Sequence, residues 1–197
     1  TFYCPSTDRQ KRVGRDFSHG GFSTTQAAAT DYSVAREVEP GLWQSFPNDV
    51  DTYFDHDLTG TNVGPYSRNT GESVRVMRWA SVTDGLSNTF FYVEDAGRPD
   101  AWRANWRRTQ SGATIGGAAW ADEANEWGFQ GCTPPNDTRP GKIAINCTNN
   151  GEPYSFHPAG VNHGMCDGSV RFVANNIPIR TYARLITAVA GETVGEF

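Results

Sequence analysis

The sequence lacks any apolar run near the roughly 18 residues that a membrane-spanning helix needs, and it has no signal-like start. It lacks a basic stripe as well. Seventeen Lys and Arg face 22 Asp and Glu for a formal net charge of −5, which argues against nucleic acid, whose binding rests on cations neutralising phosphates. There is no Cys-x-x-Cys pair and no Cys/His spacing of a zinc module. No Gly-x-Ser-x-Gly elbow supports a hydrolase. A relay of Ser155, His157 and Asp167 is therefore set aside, no catalytic residue is assigned, and the chain is expected not to be an enzyme.

What is abundant is glycine and aromatic rings. Gly 21, Pro 11 and 12% aromatic residues against only 20% charged ones describe a loop-rich, β-rich globule. The length suits one domain over residues 1–197. The expected class is α+β and β-rich: an antiparallel sheet, long irregular loops and a short C-terminal helix.

The most informative stretch is Phe156 to Val173. Asp167-Gly168 between alternating runs reads as a two-residue turn, pairing Met165 with Val170 and His163 with Phe172. Val161, His163, Met165, Val170 and Phe172 would then share a core face, and a one-residue slip would put that apolar set in water. His163 reads as a satisfied core histidine. His157, before Pro158 in extended geometry, is expected to bond a backbone group near the turn.

Elsewhere the chain alternates from Val74 toward Val82, and Phe90 to Val93 reads as a central strand covered on both faces, closed by Glu94. Asp49, Asp51 and Asp55 are the calcium candidates, as oxygen ligands spaced along a loop. The EF-hand order is missing, so a solvated loop is the stronger reading. Trp102, Trp106, Trp120 and Trp127 among glycines read first as lids over a loop-rich core and second as a sugar-stacking surface. Pro178, then Ile179, Tyr182, Leu185, Ile186 and Val189, then Gly191, describe an amphipathic helix expected to lie on the preceding hairpin.

An even cysteine count favours disulfides and an oxidising compartment. Cys132 and Cys147 bracket one proline-rich loop, which leaves Cys4 with Cys166 as the expected second bridge. Four cysteines allow three pairings, and the sequence alone excludes none.

Several short motifs occur in one order from end to end: Cys4-Pro5-Ser6, Asp84-Gly85-Leu86-Ser87-Asn88-Thr89, Tyr154-Ser155-Phe156-His157-Pro158-Ala159-Gly160, the His157-x9-Asp167-Gly168 spacing, and Ala190-Gly191-Glu192-Thr193-Val194. Together they resemble the prepilin-type processing-associated H-x9-DG domain family of pseudopilin-like proteins. Ala159 departs from the family's usual glycine. The resemblance implies a recurrent glutamate at Glu94, motif residues His157, Asp167 and Gly168, and an N-terminal prepilin helix ahead of this chain. It further implies the head of a structural or interaction subunit outside the cytoplasm, at the cell surface or secreted. Its partners would be other pilin-like subunits or surface proteins, with the membrane reached only through that helix. The alternative is a carbohydrate-binding module that uses the tryptophan loops to hold glycans, with calcium as its one candidate cofactor.

Overall fold

The computed structural model describes residues 2–7, 13–14, 17–19, 22–24, 27–46, 48, 78–109, 115–122 and 124–197. The short strands β1 (Val13–Gly14), β2 (Phe17–His19), β3 (Phe22–Thr24) and β4 (Ala27–Ala28) pair β1 with β4 and β2 with β3. There follow β5 (Tyr32–Val38), the helix α1 (Pro40–Ser45) and β6 (Phe90–Glu94). Next come two small ladders, β7 (Trp102–Arg103) with β8 (Arg107–Arg108) and β10 (Cys132–Thr133) with β11 (Thr138–Ile143), separated in sequence by β9 (Glu126–Phe129). The chain closes with β12 (Gly160–Met165), β13 (Val170–Ala174) and α2 (Ile179–Ile186).

Five strands form the main sheet in the order β13-β12-β6-β5-β9. The β-rich α+β class therefore holds. Pairing is antiparallel except between β5 and β9, which run parallel, so the sheet is mixed where an antiparallel one was expected. Trp79–Ser81 forms a 3-10 turn where the alternation suggested strand, and the expected loop between Cys132 and Cys147 is largely the β10–β11 hairpin.

The helix α2 lies against β5 and β6, the middle of the sheet, more than against the hairpin. It buries Ile179, Tyr182, Leu185 and Ile186 and ends at Thr187, four residues before Gly191. There the Asp84 carboxylate accepts the backbone N–H groups of Ala190 and Gly191 at 2.9 and 2.8 Å. Under α2 the core joins Phe90, Val93, Phe129, Val161, Met165, Val173 and Tyr182. Strict alternation would send Phe90 and Val93 to opposite faces. A β-bulge resolves this: Met165 pairs with Phe90 and Gly164 with Tyr92, so Phe91 is the extra residue and Phe90 and Val93 both reach the core.

The hairpin register differs by one residue from expectation. Gly164 pairs with Val170, His163 with Arg171 and Asn162 with Phe172. The turn has three residues, Cys166, Asp167 and Gly168, with the Gly168 N–H on the Met165 carbonyl at 3.0 Å and Gly168 at φ 85°. That is a type I turn closed by a left-handed glycine, a combination as natural to Asp-Gly as the two-residue loop. The slip has the physical result alternation demands: Val173 enters the core while Val170 and Phe172 stand 71% and 48% exposed. Tyr92, opposite Gly164 on the same face, is 49% exposed, so the second face of β6 is open at Tyr92. Among the described residues, no helix is long and apolar enough to cross a membrane.

His163 is a core histidine. A carbonyl can only accept, so Nδ1 donates to Val161 O at 3.0 Å, and in the neutral ring Nε2 accepts the Tyr182 hydroxyl at 2.8 Å. Burial pushes this imidazole down to about 3. The unfolded chain takes up a proton near pH 6.5 that the folded state refuses. The stability His163 contributes is therefore complete above about pH 6.5 and is lost as pH falls toward 3. Burial acts oppositely on two carboxyls, raising Glu152 and, against the pull of Arg98, lifting Asp95 to about 7. Their contribution is present at low pH and disappears as pH rises. Comparing wild type with His163→Gln isolates the histidine. In denaturant unfolding, wild type should lose up to about 1.4 kcal/mol more per pH unit below pH 6 than the variant. Equal slopes would contradict the neutral, buried ring.

Candidate functional site

The site begins at a turn the sequence specifies locally. Pro5 occupies the second position of Cys4-Pro5-Ser6-Thr7, where its fixed φ suits a β-turn, and the Thr7 N–H reaches the Cys4 carbonyl at 3.1 Å. Asp31, fully buried just before β5, then anchors the turn. Its carboxylate accepts the Cys4 N–H at 2.8 Å, the Thr7 hydroxyl at 2.9 Å and the Gly97 N–H at 2.9 Å. The cysteine is thereby held over the end of β6.

Glu94 closes β6 on the face turned away from α2 and is 1% exposed. Its Oε2 accepts the backbone N–H of Asn162 at 2.8 Å, and the Asn162 Nδ2 lies 3.2 Å from each carboxylate oxygen. The remaining oxygen, Oε1, accepts the Cys4 thiol at 3.0 Å and stands 3.6 Å from His157 Nε2.

His157 arrives on a loop closed by Ser155, whose hydroxyl donates to the Gly160 carbonyl at 2.7 Å and accepts the His157 N–H at 3.2 Å. Gly160 is required because a Cβ there would strike the Val173 carbonyl, whereas Ala159 is exposed. That accounts for alanine being tolerated at the first position of the pair. The His157 ring faces side chains, not the backbone group expected for it: Nε2 lies 3.5 Å from Cys4 Sγ and 3.3 Å from Asn162 Nδ2. Cys4, Glu94 and His157 thus form a compact group of three potential ligands from segments far apart in the chain. Ser6 Oγ lies 2.9 Å from the same sulfur. Burial, as the largest influence, pushes the Cys4 thiol up to about 11.

The other motif residues sit elsewhere. Asp167 and Gly168 are exposed in the hairpin turn, and Asp167 Oδ1 accepts the Ser169 N–H and hydroxyl at 2.8 and 2.6 Å. Those bonds hold its carboxyl below the usual range. Ser155, His157 and Asp167 therefore do not meet as a relay. The calcium candidates Asp49, Asp51 and Asp55 lie outside the described residues.

Of the expected bridges, Cys132–Cys147 is present, with Cα atoms 6.0 Å apart. Cys4–Cys166 is not: both are free and buried. The reason lies in β6. Cys166 lies at its start, with its N–H on the carbonyl of Thr89, the residue before the strand, at 2.9 Å, whereas Cys4 meets Glu94 at its end. Five residues of strand span about 16 Å, far more than a disulfide allows. The tryptophans divide as well. Trp127 is in the core, Trp102 stacks edge-on to Phe156 at 4.9 Å, and Trp106 and Trp120 are exposed. Trp106 borders a cleft of ≈ 450 Å³ together with Asn105, Asn146, His157 and Asn175.

Fold and site together define a disulfide-bridged, β-rich domain that buries a mixed sulfur, nitrogen and oxygen cluster against its main sheet. The chain belongs to the SBP_bac_10 family, described as a protein of unknown function (DUF1559), whose model matches residues 1–180. That family is related to the prepilin-associated H-x9-DG proteins. No curated protein and no solved structure matches the chain.

The bonding pattern predicts a thiol count. Denatured without reduction, the protein should titrate two thiols, Cys4 and Cys166, and four once the bridge is reduced. Reduction should cost about 3 kcal/mol of stability for a loop of this length. A denatured, unreduced chain with no free thiol would restore the second bridge.

Proposed function

We propose that this chain is the globular head of a non-enzymatic structural or interaction protein outside the cytoplasm, a pseudopilin-like subunit of the cell surface or of a secretion assembly. The observation that carries this reading is the open face of the main sheet. Tyr92, Gly164 and Val170 stand in one row across β6, β12 and β13, with Phe172 in the next row. Gly164 contributes no side chain, so the row has a flat floor between two exposed apolar groups. Apolar surface shared by three adjacent strands marks a place where another polypeptide packs. The disulfide supports an oxidising compartment, and the ordered motifs support a pilin-like partner or a second copy of this chain.

The test is a photo-crosslinking residue placed at Phe172 in cells that make the native-length protein, with Thr138 on β11 as control. Adducts to a pilin-like subunit or to a second copy are expected from position 172 and not from 138. Val170→Asp, introduced beside the crosslinker at 172, should abolish them while changing stability by only about 0.5 kcal/mol, as is usual for an exposed position. Absence of specific adducts at 172 would overturn the proposal.

A second reading, glycan binding, is favoured by one observation. Asn105, Trp106 and Asn146, all bordering the same cleft, adopt left-handed φ values of 61°, 54° and 58°. Such conformations cost about 1–3 kcal/mol each and concentrate at functional sites. A glycan array separates the readings. No signal is expected if the sheet face is the functional surface, whereas a signal lost in Trp106→Ala with the fold intact would transfer the function to the cleft.

A further inference from the structure

The inference rests on the geometry of Cys4, Glu94 and His157. Cys4 Sγ, Glu94 Oε1 and His157 Nε2 are separated pairwise by 3.0, 3.5 and 3.6 Å. A tetrahedral ion with sulfur at about 2.3 Å and nitrogen and oxygen at about 2.0–2.2 Å sets its ligands roughly 3.4–3.6 Å apart. Two of the three edges already have that length, and the third, from Cys4 Sγ to Glu94 Oε1, needs to open by about half an ångström. We propose that these side chains bind one thiophilic divalent cation of the zinc type, with water as fourth ligand, and that the ion clamps the Cys4-Pro5-Ser6-Thr7 turn onto the sheet.

The division of labour at Glu94 supports this. Oε2 is committed to the Asn162 backbone N–H, which fixes the carboxylate plane and leaves Oε1 aimed at the sulfur and the imidazole. Outer bonds of this kind orient metal ligands. The donor set decides the class of ion: thiolate with imidazole suits zinc or cobalt, whereas calcium and magnesium take oxygen ligands. Cys4 would coordinate as thiolate, its proton passing to solvent. Cys4 and Glu94 are sealed, but the His157 side chain is 28% exposed and gives the ion a path in.

The test uses the full chain with its disulfide intact, stripped with chelator and titrated with Co²⁺. One equivalent should produce a thiolate-to-cobalt charge-transfer band and the intense d–d bands of a tetrahedral site. Zn²⁺ should displace the cobalt, and Ca²⁺ should not. Cys166→Ala should keep the spectrum, Cys4→Ser should lose the charge-transfer band, and His157→Ala should weaken binding by about tenfold or more. At equal concentration Zn²⁺ should raise the unfolding midpoint of wild type and Cys166→Ala by more than that of His157→Ala. That last variant removes a partly exposed ring outside the core, so it remains informative if Cys4→Ser fails to fold. A wild type without the cobalt spectrum, a charge-transfer band that persists in Cys4→Ser, or unchanged affinity in His157→Ala would each overturn the proposal.

Discussion

The buried carboxylate of Glu94 is the constraint on which the arrangement depends. A carboxylate removed from water is tolerated only when its oxygens are satisfied, and here the satisfying groups come from three places. The Asn162 N–H ties β12 to β6 in register, the Cys4 thiol ties the N-terminal turn to the end of β6, and His157 brings the loop ahead of β12 to the same point. Moving β12 by one residue along β6 would withdraw the Asn162 donor and present a side chain of the opposite face. One polar residue at a strand end thereby reinforces the register that apolar alternation favours.

The same sheet separates two kinds of surface. One face is sealed by α2 and by the ring cluster of Phe90, His163, Tyr182 and Phe129. The other is polar and closed at the Glu94 end, where the N-terminal turn lies, and apolar and open at the Val170 end. The bulge at Phe91 makes this division possible, because it lets β6 deliver both Phe90 and Val93 to the core while Tyr92 and Glu94 remain on the opposite face.

Much of this was legible in the sequence, and the misses have physical causes. The amphipathic pattern from Ile179, the alternation of Val161, His163 and Met165, and the cysteines that bracket the β10–β11 hairpin each follow from a local rule. The hairpin register did not, because Asp-Gly serves two-residue and three-residue turns equally well and only the bonds of β12 to β6 decide between them. The cluster at Glu94 was hidden for a different reason. Its members are 90 and 153 residues from Cys4, so no spacing rule for metal ligands applies. What could have found it is that Cys4 and His157 each sit in a separate short motif, with Glu94 at the recurrent glutamate position.

The coexistence of one disulfide with two free cysteines then has a consistent explanation. Thiol–disulfide exchange proceeds through the thiolate and needs access to the sulfur. Cys4 and Cys166 are both buried, and burial raises them to about 11 and about 12, which leaves little thiolate at neutral pH. Cys132 and Cys147, at opposite ends of a short hairpin, meet within disulfide reach and close a local loop. Cys4 and Cys166 are instead kept apart by the length of β6. The strand that holds Glu94 in the site thus also prevents its sulfur neighbour from being consumed by a second bridge.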